Sequence, residues 1–130
     1  MRFACFVLWL LVSFSIPATT SERAFPFARE LMLDAAPMSG SKRIPIIEID
    51  ENGAVSIDLW CASVHGRATV SEDSISIVPG PVQSAECAPD RQSGDENLLA
   101  ALAQVTNWRR QGGVIELRGA TTLRFRLMTN

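Results

Sequence analysis

In "LWCASVHG", residues 59–66, a cysteine and the chain's one histidine stand four positions apart. Three chemistries use such a pair: half of a metal site, a thiol nucleophile with its base, or one end of a disulfide. A zinc site needs about three or four protein ligands. With no second histidine, Cys61 and His65 would have to recruit Cys87 and a carboxylate. An activated thiolate needs a base within reach and a third group to orient that base. On one extended strand, residues 61 and 65 share a face but lie about 13 Å apart, too far unless a bulge shortens the path. The bland reading of His65 is a strand or turn side chain beside Gly66. The disulfide needs only that Cys61 meet Cys87, and it depends on the compartment the chain occupies.

That compartment is signalled at the start of the chain, "MRFACFVLWLLVSFSIPATT". Arg2 is followed by an uncharged apolar run over residues 3–16 and then by small residues before Thr19. This is the layout of a secretory signal peptide. The run is shorter than the roughly 20 residues of a spanning helix, and no cysteine follows it to carry a lipid anchor. We therefore expect residues 1–18 to be cleaved and the mature protein to be soluble, periplasmic or secreted. Cleavage removes Arg2 and Cys5, so the formal charge moves from −2 to −3 and three cysteines become two. Mild acidity argues against nucleic acid, whose binders carry a basic face. One cysteine pair in an oxidising compartment is expected to bond. Closing the 26-position loop from Cys61 to Cys87 restricts the unfolded chain by about 3.5 kcal/mol, a large share of a small domain's stability.

Other chemistry is thin. Asp58, Glu72, Asp73 and Glu86 make no recognisable acid–base pair, and the chain has neither a Gly-rich phosphate loop nor G-x-S-x-G. In "NWRRQ", Trp108 between basic residues could face an anionic ligand, but Trp108 inward with arginines outward follows from general burial rules. Trp60, His65, Trp108 and Arg110 are the candidate binding surface. We expect no enzyme, no metal and no cofactor.

The elements that must position these residues are legible from periodicity. Residues 1–18 form the export segment, 19–42 a leader with a first short strand at "LMLDAAP", and 43–128 the domain. Ile47 and Ile49, then Val55, Ile57, Leu59 and Cys61, alternate with polar residues across Asn52-Gly53, a pair suited to a tight hairpin turn. A strand carrying Ile75 and Ile77 should stop at Pro79-Gly80-Pro81, because proline cannot donate to a ladder. Ser93 and Glu96 have capping-box spacing. Asp95 and Glu96 would then face the positive end of the helix dipole, ahead of a Leu98, Leu102, Val105 stripe. A hairpin through Gly112-Gly113 and a strand with Leu123, Phe125 and Leu127 close the chain. The fold class is α+β: a small curled antiparallel sheet or cracked β-barrel packed on a single helix, with one disulfide.

Cys61, Gly66, "DSISI" at 73–77, Pro79, "SAEC" at 84–87, Glu96, Leu99 and Leu102, "VIEL" at 114–117 and "LRF" at 123–125 together resemble the META domain of the HslJ heat-shock protein family. The agreement spans about two thirds of the mature chain. Trp60 and Ala62 replace the glycine and asparagine that flank the family's cysteine, so no role of that asparagine carries over. The resemblance implies a small cracked barrel with bonded cysteines, an envelope setting, stress tolerance, and no established enzymatic activity. We therefore expect a monomer that binds an envelope protein or a hydrophobic ligand and meets the membrane only through its signal peptide before cleavage. The alternatives are an inhibitor of a secreted hydrolase, using "VPGPVQSAECAPD" as a rigid loop, and a carrier of a hydrophobic ligand.

Overall fold

The computed structural model describes residues 12–15, 23–83 and 86–129. The rest of the segment read above as an export signal, with its expected cleavage region, and Ser84-Ala85 of the "SAEC" motif lie outside these residues. Eight strands and one helix follow in order: β1 (Leu31–Leu33), β2 (Ile46–Ile49), β3 (Ala54–Asp58), β4 (Ser63–Val70), β5 (Ile75–Gln83), α1 (Pro89–Ala103), β6 (Asn107–Gln111), β7 (Val114–Arg118) and β8 (Thr122–Leu127). The strands form one antiparallel sheet in the order β5-β4-β3-β2-β1-β8-β7-β6. It curls until its edges touch at one end, where Ser74 bridges Asn107, Ile75 N–H donates to Thr106 O (3.0 Å) and Trp108 N–H donates to Asp73 O (3.0 Å).

The alternating residues fill the concave side. Ile47, Ile49, Val55, Ile57, Leu59, Val64, Ile75, Ile77, Ile115, Leu117 and Phe125 are all buried in one cluster. Helix α1 packs on β5 and adds Leu98 and Leu102, and Val105, just beyond the helix end, completes the stripe. The leader joins this core. Phe25 is buried with its ring 5.2 Å from that of Trp108, and β1 lies inside the sheet between β2 and β8.

Five local readings of the sequence are corrected. Strand β5 does not stop at Pro79-Gly80-Pro81 but runs on to Gln83. It is the edge strand, so a missing N–H can face away from the ladder. Its register slips where His65 sits opposite both Gly80 and Pro81, between the Val64–Val82 and Gly66–Pro79 pairs, which is a β-bulge. Since α1 begins at Pro89, the segment offered as a rigid inhibitory loop is strand and helix apart from residues 84–88.

The helix also starts four residues earlier than Ser93, with Ala88 as N-cap and no side-chain cap. Proline at the first helical position has its φ preset and lacks an N–H that would go unpaired there. Ser93 and Glu96 are therefore interior helical residues, exposed, and Asp95 is a buried interior residue. At the β2–β3 turn only Gly53 of the Asn-Gly pair has positive φ (83°). Asp50 Oδ1 instead accepts from Asn52 N–H (2.8 Å) and Ala54 N–H (2.9 Å), so an Asx turn shapes a longer loop. Finally, β3 ends at Asp58, so Cys61 lies in the connection to β4 and not on a strand with His65.

Candidate functional site around the disulfide

Cys61 and Cys87 are bonded, with Cα atoms 5.9 Å apart, within the usual span of a disulfide. The bond ties the β3–β4 connection to the chain just ahead of α1. Two charged side chains hold that connection from opposite sides. From α1, Asp95, only 4% exposed, accepts from Cys61 N–H (Oδ1, 3.2 Å) and Ala62 N–H (Oδ2, 2.8 Å). From the β1–β2 connection, Arg43 donates to Cys61 O (3.1 Å) and Ala62 O (3.3 Å), with Asp58 Oδ1 at 3.6 Å. Each backbone polar group of Cys61 and Ala62 thus meets a charged partner or, for the Ala62 carbonyl, also the Leu59 N–H (2.9 Å).

Beside the disulfide lies a partly open groove of about 250 Å³, lined by Ala62, Val82, Cys87, Gln92, Asp95, Glu96 and Leu99. One wall is the end of β5, where Val82 is 53% exposed. The opposite wall is α1. Apolar walls with a few polar groups are the pattern of a binding site. A second hollow, lined by Ala28, Arg29, Glu30, Glu48 and Met128, is polar.

The candidate binding residues do not converge. Trp60 is buried, 8% exposed, and its ring lies against Gly94 of α1, where an added Cβ would come within 3.0 Å of it. It is a packing residue and not a binding surface. The large ring at this position is accommodated because the facing helical residue has no side chain. His65 is exposed on β4 at the bulge, and Cys61, four positions before it, is bonded and has no free thiol. Trp108 is half-buried, packs edge-on against Phe25 and donates from Nε1 to Ser71 O (2.9 Å). Arg110 falls on the same side of β6 as Trp108 rather than outward, and donates to Gly112 O (2.7 Å) and Ala24 O (3.0 Å). Of the carboxylates, Asp58 meets Arg43 and Ser63 rather than another acid. Among the described residues no group of three or more His, Cys, Asp or Glu side chains is placed to hold a metal ion.

Sequence reading missed Asp95. The signal was present: residues 95, 98 and 102 share one helical face, so an acid stands on the apolar stripe of Leu98 and Leu102.

A stapled, curled antiparallel sheet closed by one helix, with a groove at the staple, defines the class. The META domain family model matches residues 28–130, and the chain belongs to that family. A solved structure described as an NMR structure shares the fold, with a TM-score of 0.57 at 16% identity over 76% of this chain and 88% of that one. No curated protein matches.

Proposed function

We propose that this META-domain protein is exported, works in the periplasm or outside the cell without catalysing a reaction, and binds an envelope partner through the groove between β5 and α1. The Cys61–Cys87 disulfide carries the reading. Such bonds persist in oxidising compartments, and the charged leader with its apolar run supplies the route there. Val82 and Leu99 give the groove apolar contact, and Gln92 and Glu96 give it polar contact at the rim. A role in envelope stress tolerance fits a small scaffold that works by contact. A carrier role is less well supported, because core side chains occupy the concave side of the sheet.

Two measurements test this. Fractionation should find a chain lacking residues 1–18 outside the cytoplasm. A photo-crosslinker at position 82 should capture a partner that the same group at exposed Thr69 does not. A full-length cytoplasmic chain, or equal capture from both positions, would overturn the proposal.

A further inference from the structure

The outer face of β6, β7 and β8 bears a charge opposite to that of the rest of the molecule. Residues 106–130 hold five of the twelve basic residues and one of the fourteen acidic ones. Strand alternation turns Ile115, Leu117 and Phe125 inward, and therefore Arg109, Arg118, Arg124 and Arg126 outward, all exposed. The register places Arg109 and Arg124 on either side of Glu116, with Arg126 opposite Val114. Glu116 accepts from Arg118 at 2.8 Å and Asp34 lies 3.4 Å from Arg126, so the acids on this face are outnumbered two to one.

We propose that this face docks on an anionic phospholipid bilayer. This departs from the expectation that the chain meets membrane only through its export segment, and it involves a different surface from the groove between β5 and α1. Two features favour a bilayer over an acidic polypeptide. The guanidinium groups are spread in two dimensions over the outside of a curled sheet. Such an array matches a field of headgroup phosphates, each able to take a bidentate pair, and it offers no groove to seat an extended chain. The remaining surface is acidic, so an anionic plane repels it and orients this face inward.

The test is co-sedimentation of the full chain with vesicles of phosphatidylglycerol mixed into phosphatidylcholine, and with phosphatidylcholine alone. The ratio of the two affinities removes partition through the apolar run. The ratio should be large and should collapse between ~0.05 and ~0.5 M salt. R109Q/R124Q should lower it roughly 25-fold, five-fold for each arginine, with circular dichroism unchanged. R67Q, on the outer face of β4, should leave it unaltered. A ratio near one, or an equal fall with R67Q, overturns the proposal. So does binding to poly-glutamate without binding to the anionic vesicles, which would make an acidic polypeptide the occupant. None of these outcomes bears on capture at position 82, so the two proposals fail separately.

Discussion

Asp95 shows how one side chain can set the geometry of a staple. Its two oxygens receive the N–H groups of consecutive residues, Cys61 and Ala62, so the connection is held against α1 at the point where sulfur must meet sulfur. Asparagine keeps the shape but has one acceptor oxygen, leaving an N–H facing an amide donor. D95N should therefore cost about 2 kcal/mol, read as a fall in melting temperature of roughly 10 °C. An unchanged melting temperature would show that the carboxylate is not holding the connection. Glu116 gives a second prediction at this scale. The hydrogen bond from Arg118 holds its carboxyl below the 4.5 of an unperturbed glutamate; burial opposes it, and the charges of Arg118, Arg124 and Arg109 each add a smaller lowering. A lowered folded-state value means that this interaction stabilises fully above the unfolded pKa and is lost as pH falls through the folded one. An NMR titration should place the midpoint below 4.5, and R118Q should raise it.

At the scale of elements, the strands were legible because the sheet has one wet and one dry face, so period-two alternation survives in β2, β3, β7 and β8. What misled was punctuation. Proline at 79 and 81 reads as a stop, yet an edge strand tolerates it, and the bulge opposite His65 lets β5 continue. The helix start was displaced because Ser93 and Glu96 satisfy a capping pattern by spacing alone, while Pro89 opens the helix. The groove was invisible, since Val82 and Leu99 meet only through long-range packing. Gly66 makes the bulge possible: an added Cβ would run into the Val78 carbonyl oxygen. G66A should destabilise by about 1–3 kcal/mol. At Gly113, where nothing lies within 4 Å of an added Cβ, alanine should be neutral or slightly stabilising. Equal urea midpoints for the two variants would contradict the close approach of β4 and β5.

At the scale of the molecule, β1 joins the two halves. It pairs with β2 on one side and β8 on the other, so a three-residue strand from the leader completes a sheet whose outer edges are β5 and β6. The disulfide then fastens the β3–β4 side to α1, the element that bridges those edges. The account rests on that fastening, and the most direct measurement is a pair of urea unfolding curves, with and without reductant, alongside the intact mass of the native protein. We predict that the native protein has no free thiol at Cys61 or Cys87 and that reduction lowers the unfolding free energy by about 3.5 kcal/mol. Two free thiols in the native protein, or superimposable curves, would contradict it.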